Sequence, residues 1–182
     1  MNFTTLTAWD EALWREAEPI YRAGFPLPGR KTRAMIKKII DTEAGFVHLG
    51  NEGGRTVAMA VTGLLPDIEA LLIDYAAVRP TDRGRGVGRK LIASIAEEAR
   101  RLALRGLVIE IEAEPTAANA RRETFWTSLG FVRTEYVHRY RWVPEPYRAL
   151  YLELRPADAP LPRDGETLFR SITAFHGKIY RN

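Results

Sequence analysis

Apolar positions along the chain alternate between helical and strand spacing, and they set out an α/β order of elements. Asn2 to Leu6 reads as a short opening strand. Leu13, Trp14, Ala17, Ile20 and Tyr21 then recur at helical spacing, with Thr7 as the predicted N-cap and Asp10 three residues on. Pro26, Pro28 and Gly29 interrupt the chain. A second helix is predicted over Arg30–Asp41, with Ala34, Met35, Ile39 and Ile40 as its apolar face. Ala44–Leu49 and Arg55–Leu64 are strand-like, and the Asn51–Gly54 run between them predicts a hairpin turn. Pro66-Asp67 marks another turn before a strand over Ile68–Val78.

Beyond Val78 a glycine-rich loop leads into a long amphipathic helix reaching about Arg105, with Leu91, Ile92, Ile95, Ala99 and Leu102 inward. Gly106 is its predicted terminator, and three arginines near its end suit the negative pole of the helix. Leu107–Ala113 reads as a strand, and Ala117–Leu129 as a helix closed by Gly130. Strands follow over Phe131–Trp142 and Tyr147–Leu154, then a Pro-rich loop over Pro156–Gly165 and a helix over Thr167–His176. There is no internal repeat and no linker, so residues 1–182 are expected to form a single α/β domain.

Composition narrows the chemistry. At 182 residues and 46% apolar side chains, one hydrophobic core is expected and disorder is not. Absence of cysteine excludes disulfides, thiolate zinc sites and a cysteine nucleophile. His48, His138 and His176 show no metal-ligand spacing, so no metal is expected. No apolar run approaches the roughly 18 residues of a membrane span. Met1 to Trp9 lacks the basic flank and apolar stretch of a secretory signal, and a soluble cytoplasmic protein is the expectation.

The net charge of +4 is unevenly placed: residues 1–78 carry −2, residues 79–105 carry +5, and residues 106–182 carry +1. A local excess of this kind points to a local anion. It surrounds the segment Arg83-Gly84-Arg85-Gly86-Val87-Gly88, between a strand and a helix. Glycines there let successive backbone N–H groups converge, and the helix adds its positive end. Arg89 and Lys90 follow. A Walker loop needs Gly-Lys and then Ser or Thr, which Gly88-Arg89-Lys90-Leu91 lacks. A dinucleotide fingerprint needs a third glycine where Arg89 or Leu91 stands.

The loop does fit the pattern Arg/Gln-x-x-Gly-x-Gly/Ala, and it resembles the pyrophosphate loop of the GNAT superfamily of acyl-CoA-dependent N-acyltransferases. Asp74-Tyr-Ala-Ala-Val78 resembles that family's pantetheine strand, and Asn119 to Phe131 its second cofactor helix. The resemblance implies a GNAT-like fold, a central mixed and mostly antiparallel sheet flanked by helices, with acetyl-CoA as cosubstrate. It implies that backbone groups of Ala76, Ala77 and Val78 pair with the pantetheine arm, together with Asn119. It also implies that Arg83, Gly84, Arg85, Gly86, Val87 and Gly88, joined by Arg89, hold the pyrophosphate. Trp126 stands where many members carry a tyrosine that protonates the departing thiolate. An indole is no practical acid, so Trp126 is expected to pack beside the cofactor arm, with Tyr75, Tyr136 and Tyr140 as substitute donors.

Acyl transfer to an amine needs a group that takes the amine's proton. The period of two in Leu107–Ala113 places Glu110, Glu112 and Glu114 on one strand face, suited to a cationic amine. Glu112 is the first catalytic candidate and Glu110 the second; the plainer reading is a solvated face paired with Arg133, Arg139 or Arg141. Tyr21, Phe25 and Trp9 are candidate lining residues beside Phe25–Arg30, a candidate acceptor loop, with core packing the stronger reading for Trp9.

The leading expectation is an N-acetyltransferase acting on a small-molecule amine acceptor. A protein N-terminus or lysine is the rival acceptor. A non-catalytic acyl-CoA-binding domain and a nucleic-acid module are rival classes, the latter disfavoured because no aromatics interleave Arg79–Lys90. No nucleic-acid or membrane partner is expected, and a homodimer is compatible with the chain.

Overall fold

The computed structural model describes residues 1–141, 143–155 and 160–181. In chain order these form β1 (Asn2–Leu6), α1 (Glu11–Gly24), α2 (Arg33–Asp41), β2 (Gly45–Glu52), β3 (Arg55–Leu65) and β4 (Ala70–Val78). There follow α3 (Val87–Arg101), β5 (Gly106–Glu112), α4 (Ala117–Thr127), β6 (Val132–Arg139), β7 (Pro146–Glu153) and α5 (Gly165–Tyr180). The strands make one open, mixed sheet in the order β1-β2-β3-β4-β5-β7-β6. Contacts divide the chain into two compact units. One comprises Met1–Leu64, Ile73–Glu98 and Ile179–Asn182; the other comprises Leu65–Leu72 and Ala99–Lys178. The expected strand end at Trp142 and residues 156–159 of the Pro-rich loop lie outside the described residues.

In the first unit β1, β2 and β3 pair antiparallel, and Gly53-Gly54 closes the β2–β3 hairpin with φ of +60° and +76°. Both residues need the left-handed region, which is why a two-glycine turn stands there. Val57 to Val61 of β3 are fully buried on both faces, so this strand reads as a continuous apolar run. The α1 helix begins later than expected. Asp10, not Thr7, is the N-cap, its carboxylate accepting from the Leu13 N–H at 2.9 Å. Thr32 caps α2, and the buried face is Ile36, Ile39 and Ile40 rather than Ala34 and Met35. Residues 30–32 stay out of the helix because the Lys31 backbone is committed elsewhere: its N–H donates to the Tyr75 hydroxyl at 3.0 Å, and its carbonyl accepts from the Tyr21 hydroxyl at 3.1 Å.

In the second unit β7 pairs antiparallel with both β5 and β6. Gly106 does not terminate α3; it opens β5, where a Cβ would strike the Leu152 carbonyl oxygen. The chain leaves α3 at Ala103, at φ +56°, with Leu104 N–H bonded back to the Ala99 carbonyl at 2.9 Å. Gly130, at φ +92°, follows the α4 end as expected. Asp164 caps α5 by accepting from Thr167 N–H at 2.8 Å, and the helix buries Leu168, Phe169, Ile172, Phe175 and His176. It is a turn longer at its C-terminus than the sequence pattern predicts.

Candidate functional site

The glycine loop of the first unit leaves β4 through a tight, braced corner. Arg79 N–H donates to the Val57 carbonyl at 2.8 Å, and its guanidinium donates to the Thr56 carbonyl at 2.7 and 3.1 Å. A 3-10 turn over Pro80–Asp82 follows. Asp82 is fully buried and accepts from Arg55 and Arg85 at 2.8 Å each and from Thr81 at 3.2 Å. Burial opposes its charge, but the Thr81 hydroxyl and the two guanidiniums prevail and hold its carboxyl below the usual range. Arg85 also pairs with Glu52 at 2.9 Å, and Arg83 Nε donates to the Val78 carbonyl at 3.2 Å. Much of the local positive charge is thus built into the loop as bracing. Gly84 and Gly86 adopt φ of +74° and +76°, and a Cβ at either would meet nothing within 4 Å. Their surroundings are open, and Val87 begins α3 immediately after, with first-turn N–H groups that have no intrahelical partner.

In the second unit Glu110 and Glu112 share one face of β5, as their spacing predicts, while Glu114 lies beyond the strand. Glu110 is the centre of an unexpected cluster. Its Oε2 accepts from the Tyr140 hydroxyl at 2.7 Å, and its Oε1 lies 2.7 Å from His176 Nε2. Tyr140 meets the His138 ring edge-on at 4.5 Å, and His138 stacks on Phe169 at 4.4 Å. Burial lowers the His138 pKa, against the opposing pull of Glu110. Tyr147, opposite Glu112 in the ladder, is pushed up to about 12 by burial and then by the charges of Glu110 and Glu112.

Glu112 is half-exposed and has Arg122 at 3.7 Å. Arg122 also donates to Asn119 Oδ1 at 2.9 Å, and Asn119 Nδ2 donates to the Glu114 carbonyl at 3.1 Å. Asn119 therefore ties the end of β5 to the start of α4. Trp126 is buried between Phe125 and Phe131, at ring distances of 5.2 and 5.1 Å. Among the described residues no group of histidines and carboxylates is arranged to hold a metal, and no helix is long and apolar enough to cross a membrane.

The sequence profile of the acetyltransferase (GNAT) family matches residues 7–131, well over half of the chain. The chain belongs to the GNAT family. Solved structures agree on the fold. A GNAT-family protein of Bacteroides thetaiotaomicron superposes with TM-score 0.74 at 17% identity, over 99% of this chain and 98% of that one. The ribosomal-protein-S18-alanine N-acetyltransferase of Escherichia coli gives 0.61 at 20% identity, covering 84% and 94%. A GNAT acetyltransferase of Elizabethkingia anophelis, with acetyl-CoA bound, gives 0.58 at 16% identity, covering 84% and 97%. No curated protein matches the chain.

Within this GNAT acetyltransferase the predicted residues fall into two sets. Ala76, Ala77 and Val78 end β4, and Arg83 to Arg89 run on from them through the loop into α3, all in the first unit. Glu110, Glu112, Asn119 and Trp126 belong to the second unit, where Arg122 joins Asn119 and Glu112. Of the substitute tyrosines, Tyr75 is withdrawn into the core. Its hydroxyl donates to the Gly29 carbonyl at 2.9 Å, and burial, followed by the Asp74 charge, raises it far above its ordinary pKa. The Tyr136 hydroxyl lies 3.4 Å from His138 Nδ1, and its ring meets Phe169 at 6.0 Å. His176 and Tyr140 were the functional candidates that spacing alone did not join. A signal existed: His176 sits on the apolar stripe of α5, where a polar ring needs a buried partner.

Proposed function

We propose that this chain transfers the acetyl group of acetyl-CoA directly to a primary amine of a small cationic molecule. The observation that carries the reading is the loop Arg83–Gly88, whose two left-handed glycines leave open space at the N-terminus of α3, where first-turn N–H groups lack intrahelical partners. That arrangement fits a pyrophosphate, since side chains are absent where its oxygens would approach and backbone donors converge there. Arg83 to Gly88 would hold the pyrophosphate, with Arg89 beside them. The end of β4, Ala76 to Val78, would pair with the pantetheine amides.

Acetyl-CoA, when bound, supplies a thioester whose carbonyl carbon is open to attack by an amine. The half-exposed Glu112 carboxylate suits a cationic acceptor and stands ready to draw its ammonium group. Asn119 and Arg122 tie the segment just after Glu112 to α4, with Arg122 3.7 Å from the Glu112 carboxylate. Trp126 supplies packing and no proton, so the thiolate departs as the anion and takes its proton from solvent. Because the chain lacks cysteine, the acetyl group passes without a cysteine acyl-enzyme.

Thiol release from acetyl-CoA across panels of small diamines, amino compounds and peptides tests the reading. Turnover confined to small cationic amines is the expected result. Turnover confined to peptides would transfer the assignment to a protein acceptor, and none with any amine would remove the catalytic reading.

A further inference from the structure

Both oxygens of Glu110 are already occupied, by Tyr140 at 2.7 Å and His176 at 2.7 Å, and its side chain is only 15% exposed. An ionised carboxylate only accepts hydrogen bonds. Tyr140 must therefore direct its hydroxyl proton at Oε2, and His176 must carry a ring proton on Nε2. A phenolic hydroxyl that donates its proton also has acceptor capacity on the same oxygen. The Tyr140 ring is held by His138 at 4.5 Å, Tyr147 at 5.7 Å and His176 at 6.2 Å. Glu110 has little surface with which to touch a substrate, whereas Tyr140 is only half-buried.

We propose that Tyr140, Glu110 and His176 form a proton relay, in which Tyr140 takes the acceptor's ammonium proton and passes its own to Glu110. The proposal rests on the N-acetyl-transfer reading above and assigns Glu110 an indirect part in it. One N–H bond of the ammonium breaks as an O–H bond forms on Tyr140. The original Tyr140 O–H breaks as one forms on Glu110 Oε2. The freed nitrogen lone pair forms the C–N bond, the adduct then loses its second N–H proton to solvent, and the C–S bond breaks with its electron pair on sulfur, which takes a proton from solvent. Tyr140 is the catalytic residue of this set, and His176 is a positioning residue that fixes the carboxylate. A hydroxyl already donating to Glu110 is oriented to receive a proton, so Tyr140 does not replace the missing thiolate acid.

Steady-state kinetics of Tyr140→Phe, Glu110→Gln and the double variant test the relay, with acetyl-CoA affinity measured by calorimetry on each. Tyr140→Phe keeps the ring and removes the hydroxyl. Its kcat should fall by about 10²–10⁴-fold, the range of a positioned acid–base group, with acetyl-CoA affinity unchanged. Glu110→Gln should fall to a similar level and the double variant no further, because groups acting as one unit are not additive. His176→Gln, which retains an N–H donor, should keep more of kcat than His176→Leu at equal acetyl-CoA affinity. A Tyr140→Phe enzyme as fast as the parent, or losses that multiply in the double variant, would overturn the relay and leave N-acetyl transfer standing. A parent protein that binds acetyl-CoA and acetylates no amine would overturn the underlying reading instead.

Discussion

The Lys31 ammonium lies 2.8 Å from the Asp74 carboxylate, and the two side chains are 1% and 5% exposed. Lys31 also stands over the Tyr75 and Tyr180 rings, at 5.1 and 5.4 Å. A buried ion pair adds little net stability, yet removing one partner strands the other in a medium that cannot solvate it. Lys31→Met should therefore destabilise by about 3–5 kcal/mol in denaturant unfolding. The double change Lys31→Met with Asp74→Leu should recover most of that loss. If the single and double variants are equally unstable, packing around Lys31 matters more than the charge pair.

His48 gives the first unit a defined acid response. It is buried between Thr5 and Thr62, at 3.0 and 2.9 Å, and burial pushes its pKa down to about 4, against the opposing charge of Glu98. Between its unfolded value of 6.5 and about 4, the unfolded chain takes up a proton that the folded chain refuses. Stability should fall as pH drops through that window, by on the order of 3 kcal/mol, and the His48 contribution should level off below it. His48→Gln should flatten this part of the stability curve measured by thermal unfolding against pH. An unchanged slope would show that His48 titrates normally in the fold.

Asp82 organises the loop from beneath. Its carboxyl is depressed in the folded state, so its contribution is present above the unfolded value of 3.8 and is lost as pH falls through the lower folded value. Asp82→Asn leaves Arg55 and Arg85 without their shared carboxylate. We expect acetyl-CoA to bind roughly tenfold more weakly, about 1.4 kcal/mol, as the loop loses its brace. Calorimetric titration checks this, and unaltered affinity would mean that the backbone alone fixes the loop.

Gly86→Glu places a side chain in a left-handed residue and a carboxylate in the open space of the cradle. Acetyl-CoA affinity should drop by at least ~100-fold, roughly 2.7 kcal/mol. Gly86→Ala, which adds strain without charge, should fall between the two. Equal affinity in parent and Gly86→Glu would separate the loop from cofactor binding.

Local features were the legible ones. Gly53-Gly54 announces its hairpin because two adjacent left-handed residues have few other uses. The Arg83–Gly88 loop is contiguous in sequence, so its glycine pattern was legible, whereas its bracing by Arg55 and Glu52 was not. Helix ends were less legible. Asp10 displaced Thr7 as the α1 cap, and Ala103 ended α3 where Gly106 was expected, because several good capping residues stood close together and packing chose among them. Gly106 has a different reason to be glycine, its close approach to the Leu152 backbone, which only strand pairing reveals. The Glu110 cluster was hidden for a similar reason. His176 lies 66 residues from Glu110 in sequence, and no spacing rule joins them. Trp126 is buried between Phe125 and Phe131, contacts that a helix-spacing pattern alone does not announce.

Acetyl transfer to a small amine is tested most directly with acetyl-CoA labelled in its acetyl group. The protein is incubated with an equimolar pool of small diamines and amino-terminal peptides, and the labelled products are identified by mass spectrometry. The account predicts label in a small cationic amine, formed by the parent protein and lost in Gly86→Glu. Label found only in peptides, or in no acceptor while acetyl-CoA still binds, would contradict it.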